Sequence, residues 1–220
     1  MTEESPKYFY WAAYAAAACW VAQMFIGTVD MDSMQRTAAV QPIMDGWLEN
    51  VVLQGLWILM AVALLFFGSA CRTAFLAHPG IKSGYATALH SGWLLAAVGL
   101  CASAWTNQSM LAAAENADQS GVQVLAYLQV YGWFVTLIGL STAFIAVGLG
   151  DRRTGLLPAW FTYATAVLGF LGLLGALHIP PGGLLCYLLL APWLVAAGLL
   201  LSRVSRLGGR RHGAAEAVRD

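Results

Sequence analysis

Residues 50–72 read NVVLQGLWILMAVALLFFGSACR and contain no acidic or basic side chain before Arg72. A bilayer hydrocarbon core about 30 Å thick is crossed by about 20 helical residues, so this stretch predicts a transmembrane helix. Five other apolar stretches of comparable length accompany it. The six predicted spans cover approximately residues 7–28, 50–72, 83–105, 122–149, 157–178 and 183–202, and a basic tail at 203–220 follows them.

The composition of the whole chain agrees with this prediction. Of its 220 residues, 60% are hydrophobic and 10% are charged, and the mean hydropathy is +0.68. Soluble globular domains carry about 25% charged residues, so a soluble protein is excluded. The apolar stretches lack the alternating pattern of barrel strands, which favours helices. We therefore predict an all-α polytopic membrane protein with one helical-bundle domain over residues 1–220.

Local signals refine the helix ends and the packing faces. Asp45 is expected to cap the second span, and Pro158 is expected to begin the fifth. Helices in lipid approach closely where their residues are small. Gly169, Gly172 and Gly175 are therefore predicted to form a packing face on the fifth span.

Charge is distributed unequally among the segments that join the spans. Arg36 is the one basic residue on one side, and the other ten lysines and arginines lie on the opposite side. The positive-inside rule makes the basic side cytoplasmic and places both termini there. Together with the richness in Ala, Gly and Arg, this predicts a multi-pass protein of a bacterial cytoplasmic membrane. The outer side carries Asp30, Asp32, Asp45, Glu49, Glu115 and Asp118.

Ionisable residues inside spans are the first candidates for function in a membrane protein. No Asp, Glu, Lys or Arg falls in the middle of a predicted span, and His90 is the one histidine that does. We interpret His90 as a neutral side chain that hydrogen-bonds across helices in a polar layer with Thr142 and neighbouring threonines. On this interpretation, glutamine should replace it better than leucine. Contact between His90 and a ligand is the alternative.

A second polar layer lies in the outer half of the predicted spans. Its members are Gln23, Gln54, Ser103 and Gln129. Polar side chains at this depth either hydrogen-bond to a neighbouring helix or face a bound molecule. The candidate binding residues are therefore His90, Gln54, Gln129 and Thr142.

No motif predicts a cofactor or a catalytic metal. The histidines do not form a pair at one depth, as a haem between two helices requires, and the four cysteines lack metal-ligand spacing. Met31, Met34 and His178 are the alternative, because thioether sulfur suits Cu(I), although methionine also fills helix ends without binding anything. We predict no cofactor, no metal and no nucleic acid. The expected partners are membrane lipid and a protein partner or a second copy within the membrane.

The C-terminal half contains the sequence GLGDRRTGLLPAW, in which an apolar helix leads into an Arg-containing turn, a Leu-Pro pair and a tryptophan. Together with the Gly/Leu-rich helix that follows, this pattern resembles a group of small bacterial membrane proteins of unknown function. The resemblance extends from Tyr131 to Arg206. It implies six helices and no known activity, and it rests on Arg152, Arg153, Leu157, Pro158 and Trp160.

Two classes of function fit these features. The leading hypothesis is a non-catalytic inner-membrane protein, either an accessory subunit or a small binding or permeation protein for an apolar or weakly polar solute. The alternative is an intramembrane enzyme that acts on a lipid-like substrate with His90 as acid or base. That enzyme would need a second titratable group beside His90, and the sequence offers none at equal depth.

Overall fold

The computed structural model describes residues 10–26, 40–78, 80–152 and 154–216, with side chains as far as Arg203 except that of Val130. Within these ranges the chain is helical and contains no strand, which confirms the predicted fold class over them. The helices of the described ranges are α1 (Trp11–Met24), α2 (Val40–Asp45), α3 (Trp47–Leu76), α4 (Ser83–Glu115), α5 (Gln119–Asp151), α6 (Ala159–Ala176) and α7 (Gly182–Glu216).

Five of the described helices are long and apolar enough to cross a membrane, namely α3, α4, α5, α6 and the Gly182–Arg203 part of α7. They correspond to the predicted spans from residue 50 onward. α1 has 14 residues, which is about 21 Å at 1.5 Å per residue and shorter than a hydrocarbon core. Parts of the first predicted span, 7–28, lie outside the described residues. A sixth crossing and the side on which the termini lie therefore stay predictions.

Large apolar side chains cover the outside of the bundle. Leu59, Val98 and Phe170, for example, expose 61%, 52% and 59% of their surface. Soluble proteins rarely show extensive contiguous apolar area, whereas lipid-facing helices require it. The exposed faces are thus compatible with a multi-pass membrane protein.

Apart from α2, the helices form a closed ring in chain order. Each packs against the helix before it and the helix after it, and α1 completes the ring by packing against both α3 and α7. Short turns join consecutive long helices, so neighbours run in opposite directions. The α3–α4 and α5–α6 turns meet at one end, where Gly80 lies against Thr154.

The two ends of the ring differ in charge. We call the end with Arg72, Lys82 and Arg152 the basic end, and the end with Glu49, Glu115 and Asp118 the acidic end. At the acidic end, Trp47 Nε1 of α3 donates a hydrogen bond to Glu115 Oε1 of α4 at 3.3 Å. The sequence predicts the acidic end to be the outer one.

The helices α4 and α5 are longer than the predicted spans. Each has 33 residues, which is about 50 Å at 1.5 Å per residue. The additional turns continue the α4–α5 hairpin at the acidic end, where α2 packs against it in a separate small core. The hydropathy of the sequence predicts neither this extension nor α2. The buried residues of the small core are Ile43, Met110, Leu111, Ala114, Val122 and Ala126.

Two helix starts test the boundary predictions. The prediction that Asp45 caps the second span is wrong, because Gly46 is the N-cap of α3. Asp45 is already the last residue of α2, and its Oδ1 accepts a hydrogen bond from Gln41 Nε2 at 2.8 Å. Pro158 is the N-cap of α6, and the helix begins there as predicted.

The helices α4 and α5 make the most extensive contact between two described helices. A glycine takes part in each contact along one antiparallel register, so the two backbones approach closely. A Cβ atom added to Gly92, for example, would lie 2.9 Å from the Cα of Ala143. Hydropathy and charge in the sequence do not predict this interface. Its contacts are Gly92 with Ala143, Ala96 with Gly139, Gly99 with Thr136 and Ser103 with Gly132.

The predicted glycine face of α6 is confirmed. Gly169 lies against Ile145 of α5, and Gly172 lies against Ser141 of the same helix. Gly175 lies against the first turn of α7 at Gly183. This face therefore joins α6 to both of its neighbours in the ring.

Aromatic side chains fill the centre of the ring in its basic half. The ring of Trp193 lies 4.5 Å from that of Phe144, 5.6 Å from that of Phe161 and 5.7 Å from that of Trp93. Phe67 lies 5.3 Å from Trp93. We call these five residues the aromatic plug. Each helix from α3 to α7 contributes one of them, and all are buried, so the plug closes the centre of the ring in this half.

Candidate functional site

A cavity of about 320 Å³, open on part of its surface, lies between helices in the acidic half of the ring. This volume falls in the range of small-molecule pockets, about 300–1,000 Å³. The helices α1, α3, α5 and α7 line it with aromatic rings, one amide and several apolar or small side chains. The aromatic and amide residues are Trp20, Gln23, Trp57, Trp133 and Tyr187.

The aromatic plug lies between this cavity and the basic end. Phe144 of the plug follows the lining residue Leu140 by one turn on α5. Trp193 follows the lining residue Cys186 by two turns on α7. Toward the acidic end, the lining includes Gly183 in the first turn of α7. The cavity is thus closed on the basic side.

Gln23 supplies the one side-chain amide of the lining, and it is 4% exposed. Trp57 Nε1 donates a hydrogen bond to Gln23 Oε1 at 2.6 Å. Because an indole N–H is only a donor, the amide oxygen must face Trp57, and this fixes the position of Nε2. Gln23 Nε2 is buried and has no hydrogen-bond partner among the described residues. The N–H groups of this amide are therefore buried without an acceptor among the described residues.

Three further rings are fixed by their contacts with one another. Trp20 Nε1 donates to the backbone carbonyl of Tyr187 at 2.9 Å, which ties α1 to α7. The ring of Trp20 lies 4.8 Å from that of Tyr187 and 5.4 Å from that of Trp133. Tilted and edge-to-face pairs of this kind contribute about 0.5–1.5 kcal/mol each beyond area burial. The aromatic wall is therefore preformed.

Two of the four predicted binding residues, Gln54 and Gln129, are outside the cavity lining. Gln54 Oε1 and both side-chain polar atoms of Gln129 are buried without hydrogen-bond partners among the described residues. Ser103 Oγ and Thr136 Oγ1, at the α4–α5 interface, are unpaired in the same sense. These side chains form a second set of buried polar groups in the acidic half of α3, α4 and α5.

The other two predicted binding residues, His90 and Thr142, lie in the basic half. Thr142 Oγ1 donates to the carbonyl of Ile138 in its own helix at 2.8 Å, and His90 Nδ1 is buried without a partner among the described residues. Nδ1 of His90 therefore makes no hydrogen bond across helices within the described residues, and the role predicted for His90 stays a prediction. The α4–α5 register places His90 level with Ile145, about 24 Å along the axis from Gln129 at 1.5 Å per residue. The four residues do not form one site.

The residues of the alternative metal site are only partly described. Met31 and Met34 lie outside the described residues. His178 lies in the α6–α7 turn, and its ring packs edge-on against Phe134 of α5 with 4.2 Å between ring centres. In the described parts of the chain, no three His, Cys, Asp or Glu side chains are grouped as a metal ion would require.

Asp151 is a buried acid that the sequence analysis does not single out. It is 1% exposed, and its Oδ1 accepts a hydrogen bond from the Leu156 N–H at 2.7 Å. Its Oδ2 accepts from the Leu157 N–H at 3.1 Å and from Thr162 Oγ1 at 2.5 Å, and Thr154 Oγ1 donates to Oδ1 at 2.9 Å. The carboxylate thus organises the α5–α6 turn. In the sequence, this role is indicated by an acidic residue that comes at the end of a predicted span and is followed by a polar turn.

The aromatic lining is the part of the cavity that the sequence analysis misses. Aromatic belts place tryptophan at the ends of spans, near the headgroups. Trp57 and Trp133, by contrast, lie well inside the predicted spans 50–72 and 122–149. A tryptophan at such a depth is a signal for an internal surface, but the sequence does not show which helices bring these rings together.

Comparison with known proteins gives no family, because no family model, curated protein or solved structure matches the chain. The group of small bacterial membrane proteins that the C-terminal half resembles therefore remains a sequence-based expectation.

Proposed function

We propose that the protein is a non-catalytic multi-pass membrane protein that binds a small apolar or weakly polar molecule between α1, α3, α5 and α7. One observation carries this proposal: a cavity of about 320 Å³ whose wall, in the described residues, consists of aromatic and apolar side chains around a single buried amide, that of Gln23. Small-molecule sites are typically apolar cavities with a few well-placed polar groups.

The aromatic plug favours binding over permeation. A solute that left the cavity toward the basic end would have to displace rings from five helices, α3 to α7. The plug rings are buried, and Trp193 is also held by a 2.8 Å hydrogen bond from its Nε1 to Thr165 Oγ1. Interiors packed in this way do not open without a concerted movement of several helices.

The chemistry of the lining favours binding over catalysis. General acid–base catalysis needs a titratable group within about 3 Å of the reacting atom. Cys186 and Tyr187 are the titratable residues of the lining, and neither has a neighbouring acid or histidine among the lining residues. His90, the acid or base of the alternative hypothesis, belongs to α4, which contributes no lining residue.

The proposal includes a location and an orientation. We place the protein in the cytoplasmic membrane of a bacterium with both termini inside, because the positive-inside rule assigns the basic end to the cytoplasm. The cavity then lies in the outer half of the membrane. The exposed apolar faces of the ring are available for lipid, for a second copy or for a larger complex in which this chain is an accessory subunit.

A cavity-filling substitution tests the proposal. Leu137→Trp places an indole at a lining position of α5, and Leu149→Trp makes the same change at a position of α5 that is 53% exposed. Small molecules extracted from each purified protein are identified and counted by mass spectrometry. We expect about one neutral molecule per chain with the wild type and with Leu149→Trp, and its loss from Leu137→Trp. Identical extracts from all three proteins, or no molecule from the wild type, would contradict the proposal.

A further inference from the structure

The cavity opens on the outward face of α7. Leu184 belongs to the cavity lining, yet it exposes 62% of its surface. It lies on the same face of α7 as the exposed residues Leu188 and Leu199, because the spacing between the three corresponds to whole helical turns. This face belongs to the outer, apolar surface of the ring. The open part of the cavity is therefore at the side of the bundle, in the first turn of α7.

The opening lies at the depth of hydrocarbon chains. A Cβ atom added to Gly183, the neighbour of Leu184, would lie 3.9 Å from Leu137 Cδ1, so the opening is level with the middle of α5. The exposed charges at the ends of α5 are Asp118 and Arg152. They lie 19 and 15 residues from Leu137, which is about 28 Å and about 22 Å at 1.5 Å per residue. A hydrocarbon core about 30 Å thick includes the level of Leu137 wherever it is placed between these two charges.

The surroundings of the opening carry no charged side chain in the described residues. α7 contains no Asp, Glu, Lys or Arg over residues 182–202, and α1 contains none over residues 11–24. The lining itself contains no such residue. His178, in the turn before α7, packs its ring against Phe134 of α5. A charged group at the opening would therefore lack a counter-charge, and an unpaired charge in hydrocarbon is costly.

The wall of the cavity is built mainly of apolar surface. Its residues with a polar side-chain atom are Trp20, Gln23, Trp57, Trp133, Cys186 and Tyr187. The indoles of Trp20 and Trp57 already donate hydrogen bonds inside the wall, and Gln23 Nε2 is enclosed. The Tyr187 hydroxyl and the Trp133 N–H are each a single polar group at the edge of a large apolar ring. Most of the wall is therefore suited to hydrocarbon.

We infer that the ligand is an uncharged lipid, one of whose hydrocarbon chains enters the cavity sideways from the bilayer past Leu184 and lies against the rings of Trp133 and Tyr187. This inference rests on the proposed function and deepens it, because it gives the class of ligand and its route. The aromatic plug closes the cavity on the basic side. The hydrocarbon chain therefore reaches Leu140 and Cys186, the lining residues that precede the plug on α5 and α7.

Two photoactivatable lipids that differ in the headgroup test the inference. One is a diacylglycerol and the other is a phosphatidylglycerol, and both carry a diazirine near the end of one acyl chain. The purified protein is reconstituted in phosphatidylcholine vesicles with either probe and irradiated, and the cross-linked residues are identified by mass spectrometry. Leu140 and Cys186 are each 1% exposed, so lipid around the bundle does not reach them. We expect diacylglycerol to cross-link to them more than phosphatidylglycerol does, and both probes to label the exposed Leu199 equally.

A substitution at the opening tests the route. Leu184→Trp narrows the opening, and Leu199→Trp makes the same change on the same face of α7 at a residue outside the lining. Cross-links to Leu140 and Cys186 should be lost in Leu184→Trp and kept in Leu199→Trp. If Leu184→Trp does not fold, Leu184→Phe replaces it. Tyr187→Phe removes the hydroxyl and should keep the cross-links, because a hydrocarbon chain makes no hydrogen bond.

The outcomes separate the two proposals. If neither probe cross-links to Leu140 or Cys186, but extracts of the wild type contain a bound small molecule, the inference is overturned and the binding function stands. Cross-links that persist in Leu184→Trp overturn the sideways route, and equal labelling by the two probes overturns the uncharged lipid. Loss of the cross-links in a Tyr187→Phe protein that melts like the wild type overturns the assignment of a hydrocarbon chain. The absence of both cross-links and an extracted molecule counts against the proposed function as well.

Discussion

Asp151 and His90 show how position decides whether a buried polar side chain finds partners. The Asp151 carboxylate accepts hydrogen bonds from two N–H groups and two hydroxyls, whereas His90 Nδ1 has no partner among the described residues. Asp151 ends α5 and faces a turn, where backbone N–H groups are not used by a helix. His90 lies inside α4, where the neighbouring backbone groups are already paired.

Replacement of Asp151 by alanine should destabilise the protein. The N–H groups of Leu156 and Leu157 would be left unpaired in Asp151→Ala, at a cost of about 3 kcal/mol in the free energy of unfolding. Asp118→Ala is the matched control, because Asp118 is an exposed N-cap that accepts one hydrogen bond from the Gly121 N–H at 3.0 Å. It should cost about 1 kcal/mol. Unfolding by SDS in mixed micelles measures both, and an equal loss in the two variants would contradict the role given to Asp151.

The structure reverses the expected ranking of substitutions at His90. Without a partner for Nδ1, His90→Leu removes a buried unpaired polar atom, so the melting temperature should stay the same or rise, by the equivalent of about 1 kcal/mol. His90→Gln should be no better than His90→Leu. Melting temperatures of the wild type and both variants in detergent give the ranking. A clear advantage of glutamine over leucine would show that His90 does hydrogen-bond across helices.

At the scale of the helices, the sequence predicts those elements whose helical structure is required by the lipid environment. An apolar run without charge has to be helical where no water can satisfy the backbone, so the five spans from residue 50 onward are recognised by length and hydropathy. The end of α4, TNQSMLAAAE at 106–115, lies outside that rule. Its Ala, Met, Leu and Glu residues favour a helix by intrinsic propensity, yet hydropathy alone does not mark them.

The candidate site was harder to predict than the spans for a related reason. The rule for intramembrane polar residues led to Gln54, Gln129, His90 and Thr142, which the structure distributes over two levels of the bundle. Gln23 belonged to the predicted outer polar layer, but its partner Trp57 follows from the contact between α1 and α3. The order of the helices around the ring is determined by packing, so a hydropathy pattern does not predict which helices are neighbours.

The close contact between α4 and α5 leads to a prediction about glycine. In Gly139→Ala, the new methyl group would lie 2.8 Å from the Cα of Ala96 in the facing backbone, so the two helices would have to separate. We expect a loss of about 3 kcal/mol in the free energy of unfolding, as for overpacked cores.

Gly55→Ala is the control for this substitution. A methyl group on Gly55 of α3 would meet nothing within 4 Å, so the higher helix propensity of alanine should leave stability unchanged or raise it by up to about 1 kcal/mol. SDS unfolding compares the two variants. If Gly139→Ala were as stable as Gly55→Ala, the α4–α5 contact would have to be looser than described.

The molecule as a whole has two unlike halves. The aromatic plug fills the basic half, and the cavity occupies the acidic half together with most of the unpaired polar atoms of the described chain. The cavity therefore lies nearer to one side of the membrane than to the other. Which side that is depends on the orientation, so the orientation needs a direct test.

Accessibility of single cysteines gives that test. In a background in which Cys19, Cys71, Cys101 and Cys186 are alanine, Asp118→Cys and Arg152→Cys place one thiol at each end of the ring. With the acidic end outside, as the positive-inside rule predicts, Asp118→Cys should react with an impermeant maleimide in intact cells. Arg152→Cys should react only after the membrane is permeabilised. The reverse pattern would show that the half of the bundle that contains the cavity lies on the cytoplasmic side.

The short helix α6 makes the bundle unequal in height around its circumference. Its 18 residues span about 27 Å at 1.5 Å per residue, and Pro158 at one end and the α6–α7 turn at the other prevent it from lengthening. A hydrocarbon core about 30 Å thick is slightly thicker than this helix is long, and such a mismatch is accommodated by thinning of the bilayer, by flanking side chains or by association with a partner. Lipids with shorter acyl chains fit the strip along α6 best, and we expect them to be enriched there, which would give the protein a preference for thinner membrane regions.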